Sequence, residues 1–167
     1  MADFWEVAAA NLESYLRTGA AVIRPDHSEF REEVLMSVEV DAPAARVWEV
    51  LTDPAEMRVF LGELMPCEPR AELRVGGVYT YGWVQDGARI GPQEIVELEA
   101  GRRLVHTWTC DDGVTQTTTE WLVEPLGGAR SRLSVRQFGL QSLAEYSGYA
   151  NGWASFLLSM KRVSERV

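Results

Sequence analysis

Beyond Pro69 the chain alternates apolar and polar residues with period two for about seventy residues, cut into short runs by turn signals. The turns fall at Gly76-Gly77, Asp86-Gly87, Gly101, Asp111-Asp112-Gly113 and Gly127-Gly128. The pattern predicts an antiparallel meander with strands near 70–75, 78–85, 89–99, 103–110, 115–124 and 130–137. No strand-helix-strand alternation runs through this stretch, so a doubly wound parallel sheet is excluded and an α+β fold is required.

The flanks complete the order of elements. Glu33 to Val40 alternates with Val34, Met36, Val38 and Val40 on one face, which predicts a half-buried first strand and a seven-stranded sheet. Pro43 suits the first turn of a helix carrying Val47, Trp48 and Leu51, and Asp53-Pro54-Ala55-Glu56 opens a second short helix through Met57, Phe60 and Leu61. Ser142 and Glu145 have capping-box spacing at the start of a last helix, whose stripe is Tyr149, Trp153, Phe156, Leu157, Met160 and Val163. Gly148 and Gly152 weaken its first turns by up to about 1 kcal/mol each relative to alanine. At the other end, residues 3–18 read as an amphipathic helix, with Asp3 and Glu6 at capping spacing and Phe4, Ala8, Leu12 and Tyr15 along one stripe. The chain thus divides into an N-terminal helix and connector over 1–32 and a main domain over 33–167.

A strongly twisted sheet of this size curls, and one helix across its concave side fills only part of the space. The inward phase of the strands suggests what occupies the remainder. Tyr79, Tyr81 and Trp83 share it on one strand, His106 and Trp108 on another, Thr119 and Trp121 on a third. Glu94 lies in the same phase beside Val96 and Leu98, and Gln137 beside Leu133 and Val135. Trp48 and Phe60 from the helix pair, with Trp153, Phe156, Leu157 and Met160 from the last helix, complete the expected lining of an apolar cavity with a few polar groups. Plain packing is the competing reading for each tryptophan. His106 could equally hydrogen-bond a neighbouring tyrosine, and a bulge near Gly91-Pro92 would turn Glu94 to solvent.

Composition narrows the partners. A formal charge of −9, from 25 acidic and 16 basic residues spread along 167 positions, disfavours a phosphate backbone, so nucleic acid is not expected. At 46% hydrophobic and 25% charged, the balance is that of a soluble globule, with no membrane-inserting run. Two cysteines, Cys67 and Cys110, predict free thiols, and the absence of a basic, apolar leader predicts a cytoplasmic location. Two histidines without a cysteine or carboxylate cluster argue against a metal site, and no phosphate loop or cofactor motif is present.

The residues from Val38 to Lys161 resemble the SRPBCC or START-like superfamily, in particular proteins like the C-terminal domain of the activator of the heat-shock 90 ATPase. The resemblance is carried by Val40-Asp41-Ala42-Pro43 leading to Val47-Trp48 and Leu51-Thr52-Asp53-Pro54, and by Val75-Gly76-Gly77 before an aromatic strand. Arg103-Leu104-Val105-His106-Thr107-Trp108 and Gly152-Trp153 continue it. It implies a helix-grip fold with a hydrophobic tunnel between sheet and C-terminal helix, used by different relatives for lipids, polyketides, hormones or other apolar molecules. Relatives commonly place tryptophan in the second short helix, where this chain has Met57, Val59 and Phe60.

Three functions follow, in this order. The first is binding of a small hydrophobic or aromatic molecule, stacked on Tyr81, Trp83 and Trp108 and oriented by Glu94, His106 or Gln137. The second is a polyketide cyclase-like, aromatase-like or lyase-like enzyme in which Glu94 and His106 exchange protons with a polyketide-like substrate. The third, a co-chaperone partner for a heat-shock 90 ATPase, rests on the resemblance alone and ranks last. The assembly expected is a monomer or a homodimer, with the first helix as cap, dimer contact or packing.

Overall fold

The computed structural model describes residues 2–62 and 64–166, with side chains from Trp5 onward. Its elements follow the local signals closely. Helix α1 (Ala2–Thr18) ends where Gly19 takes a φ of 78° and its N–H bonds the Tyr15 carbonyl. Strand β1 (Glu33–Val40) precedes α2 (Ala44–Thr52) and α3 (Pro54–Gly62), and Asp53 Oδ1 accepts from the N–H of Ala55 at the start of α3. The last helix, α4 (Leu143–Ser164), begins at the anticipated cap: Ser142 Oγ accepts from the Glu145 N–H, and Glu145 Oε2 reaches back one residue beyond the cap to accept from the Gln141 N–H.

The seven strands expected in one sheet are distributed differently. Five form the main antiparallel sheet, in the order β1, β9 (Arg130–Phe138), β8 (Gln116–Gly127), β7 (Arg103–Thr109), β6 (Gly91–Glu99). The segments expected at 70–75 and 78–85, with the start of the one expected at 89–99, instead make two short ribbons, β2 (Arg70–Ala71) with β3 (Tyr79–Thr80) and β4 (Val84–Gln85) with β5 (Ala88–Arg89). Gly82 is the reason for the break. Its φ is 78°, and a Cβ there would stand 2.7 Å from the Glu68 carbonyl oxygen, so the chain kinks between β3 and β4.

The ribbon and sheet meet at Ile95, whose N–H donates to the Gly77 carbonyl while its carbonyl accepts from the Gly76 N–H. This attachment coincides with two register shifts in β6, between Pro92 and Ile95 and between Ile95 and Glu97. Each shift inserts one extra residue against β7 and reverses the facing of the side chains. Ile95 is therefore fully buried, and Glu94, expected inward, is exposed on the outer face; of its two expected companions, Leu98 packs on the core and Val96 does not.

Helix α4 lies across the sheet and is buried on nearly every side from Trp153 to Met160, because α1, α2 and α3 cover what the strands leave open there. The inner face of α1 differs from the expected stripe. Val7 is buried, Ala10 packs on the core, and the Asn11 amide pairs with the backbone of Ile23, donating to its carbonyl at 2.7 Å and accepting from its N–H at 3.0 Å. Leu12 and Tyr15 consequently face outward. The expected roles of Asp3 and Phe4 lie outside the described side chains.

Candidate functional site

Most of the expected lining is a packed aromatic core. Phe60, Tyr79, Tyr81, His106, Thr119, Trp121, Gln137, Leu157 and Met160 are all fully buried. Their rings meet mainly edge to face or tilted: Tyr81 lies 5.9 Å from Phe156 between centroids, Trp121 5.3 Å from Trp153, and His106 5.0 Å from Tyr79.

Several of the polar tips expected to face a ligand are taken up by partners within the protein. Tyr79 donates from its hydroxyl to the Leu51 carbonyl at 2.9 Å. Gln137 accepts from Trp153 Nε1 at 2.6 Å and donates to Thr117 Oγ1 at 2.8 Å. His106 Nε2 accepts from Trp121 Nε1 at 3.3 Å, and its Nδ1 lies 3.1 Å from the Thr107 carbonyl, an arrangement that fits a neutral ring protonated at Nδ1. Burial pushes this imidazole down to about 4. Its partner is thus a tryptophan, where the sequence pointed to a tyrosine. The Tyr81 hydroxyl sits near enough to Tyr79 to be perturbed by it but completes no well-formed hydrogen bond, and the Thr119 hydroxyl is likewise buried without a partner.

Glu94 and His106 are not brought together. Ile95, not Glu94, stands opposite His106 across the β6–β7 ladder, so the anticipated acid–base pair does not exist as a shared site. Trp48 sits half-buried on α2, also away from the remaining aromatic groups with open space around them.

That open space is a cleft of about 470 Å³ between the start of α4 and the end of β7. Of the expected residues, Trp83, Trp108, Trp153 and Phe156 line it, joined by Tyr149. Trp108 Nε1 donates to the Tyr149 hydroxyl at 3.2 Å, which holds strand and helix together along one wall. Cys110 contributes a buried thiol, and Asp111, Asp112 and Glu145 stand at the rim. Burial pushes both the Cys110 thiol and the Tyr149 hydroxyl up, so neither is an anionic nucleophile near neutral pH.

Sequence reasoning missed what opens this cleft. Gly148 and Gly152 lie one turn apart on the lining face of α4, and a Cβ on either would meet nothing within 4 Å. Their spacing around Tyr149 was the available signal, since two glycines inside a helix are costly unless backbone must stay uncovered. The Asp111-Asp112-Gly113 turn signalled a hairpin but carried no mark of its position at the mouth.

An antiparallel sheet closed around one long C-terminal helix, with an aromatic cleft between them, defines the helix-grip class of proteins. Within that class the chain belongs to the family described as Activator of Hsp90 ATPase homolog 1-like protein, which matches residues 41–165. No curated protein matches the sequence. Among solved structures, protein MLL2253 from Mesorhizobium loti superposes with a TM-score of 0.65 at 18% identity, covering 78% of this chain and 95% of its own. CalU16 from Micromonospora echinospora gives 0.62 at 20% identity, covering 85% and 82%. PFC0360w, an HSP90 activator from Plasmodium falciparum, gives 0.58 at 17% identity, covering 74% and 88%. At such identities the likeness establishes the fold.

Proposed function

We propose that this protein binds a small apolar or aromatic molecule in the cleft between β7 and the first turns of α4. The observation that carries the reading is the convergence of Trp83, Trp108, Tyr149, Trp153 and Phe156 on one open volume of about 470 Å³. Ligand sites are typically clefts of about 300–1,000 Å³ with apolar, aromatic walls. A ligand that removed about 200 Å² of apolar surface from water there would gain about 5 kcal/mol before ordering costs. The two glycines support the same reading, because the helix forgoes stability at the positions where side chains would fill the cleft.

Titration with the neutral probe N-phenyl-1-naphthylamine tests this. Three of the six tryptophans line the cleft, so binding should quench their emission while probe fluorescence rises. Gly148→Leu, which fills the space without a clash at its Cβ, should abolish both signals. A probe response unchanged in that variant would overturn the assignment. Contact with a heat-shock 90 ATPase is the competing reading and rests on family membership; stoichiometric recovery of the chaperone in a pull-down would place it first.

A further inference from the structure

The aromatic cleft has a charge asymmetry. Asp111, Asp112 and Glu145 stand at its mouth, and neither lysine nor arginine is among the residues that line it. Building on the binding reading above, we infer that the ligand carries a positive charge: an organic ammonium whose cationic head lies against the tryptophan walls and the Asp111 carboxylate.

The walls suit such a head. Trp83, Trp108, Tyr149, Trp153 and Phe156 all line it, with Trp108 at 85° to Tyr149 and 64° to Trp153, and Trp153 at 70° to Phe156. Aromatic faces carry negative electrostatic potential and attract a cation placed within about 6 Å, most strongly when the ring is tryptophan and water is excluded.

The three carboxylates are not equivalent. Asp112 is occupied by its own loop, accepting from the Val114 and Thr115 N–H groups and the Thr115 hydroxyl. Glu145 Oε2 accepts from the Gln141 N–H as part of the helix cap. The Asp111 side chain makes no hydrogen bond among the described residues; only its backbone carbonyl is engaged, by Gln85. It is the carboxylate available to a ligand.

Their field reaches the cleft wall. Burial dominates at Cys110 and hydrogen bonds with Tyr149 and Thr117 favour its thiolate, while Asp112 and Glu145 add a smaller push against a negative charge there; Asp111 adds a small one at Tyr149. These carboxylates do not converge into a metal site, since among the described residues no group of three or more His, Cys, Asp or Glu could hold one. The net charge of −9 would also steer a cation toward the protein.

Three probes of one shape decide the matter: benzyltrimethylammonium, its uncharged carbon isostere neopentylbenzene, and the anion benzylsulfonate. Affinities are read by tryptophan quenching at low and high salt on the full chain, the Gly148→Leu chain and the Asp111→Asn chain. The expected result is that the ammonium binds about tenfold tighter than the isostere and the sulfonate weakest. Asp111→Asn should lower ammonium affinity severalfold without changing that of the isostere, and Gly148→Leu should remove both. Equal binding of ammonium and isostere would overturn the charge inference and leave the apolar reading standing. Ammonium binding that survives Gly148→Leu would show attachment elsewhere and also overturn it. Binding of no probe would remove the cleft reading and this inference together.

Discussion

Trp153 in the middle of α4 donates its indole N–H to the Gln137 amide oxygen at 2.6 Å, an amide that is fully buried. Because Gln137 also donates to Thr117 at 2.8 Å, one amide links the helix to two neighbouring strands. A group foreseen as a ligand contact is instead the polar fastening between helix and sheet.

Replacing Gln137 with leucine should therefore destabilise the protein by about 2–4 kcal/mol, since the Trp153 N–H and the Thr117 hydroxyl would be left buried without this partner. A urea midpoint unchanged from that of the parent chain would refute the fastening role.

His106 should make stability depend on pH. Its folded value of about 4 lies below the ordinary 6.5, so the unfolded chain takes up a proton at this ring before the folded one does. The contribution is complete above pH 6.5 and is lost as pH falls toward 4, by about 3 kcal/mol in total. Urea midpoints at pH 7.5 and 4.5 should differ less in His106→Asn than in the parent; equal pH dependence would contradict the neutral, buried imidazole.

Gly148→Ala and Gly152→Ala should each stabilise the chain by up to about 1 kcal/mol, because the helix gains propensity and the new Cβ meets open space. The same changes should weaken binding in the cleft. Thermal unfolding and probe titration on the same samples measure both effects, and a loss of stability would show that the space is not open.

Glu94→Gln should change stability by less than about 0.5 kcal/mol and leave ligand binding intact, since the side chain is exposed on the outer face. Its neighbour behaves oppositely: Ile95→Ala should cost about 2–5 kcal/mol from a fully buried position. Comparable effects of the two changes would place the β6 register one residue away from that described.

The order of elements was legible because its signals are local. The Ser142–Glu145 cap, the alternation over 33–40 and the helix pair after Pro43 depend on backbone groups within a few residues, and each appears where expected. The facing of α1 was not legible in the same way. Asn11 turns inward only because the chain returns at Ile23 to supply both halves of its amide pairing. No spacing within the helix contains that information.

Local periodicity thus settled that a meander would precede a long helix and that tryptophan and tyrosine would crowd their interface. Which of those rings border empty space was settled by packing in three dimensions. Trp121 and Trp153 have the same chemistry, yet Trp153 borders the cleft and Trp121 does not. The bulged attachment of Ile95 to Gly76 and Gly77 likewise turned Glu94 away from His106. A void is the difference between the space enclosed by distant segments and the volume of the side chains they contribute, and no single segment encodes that difference.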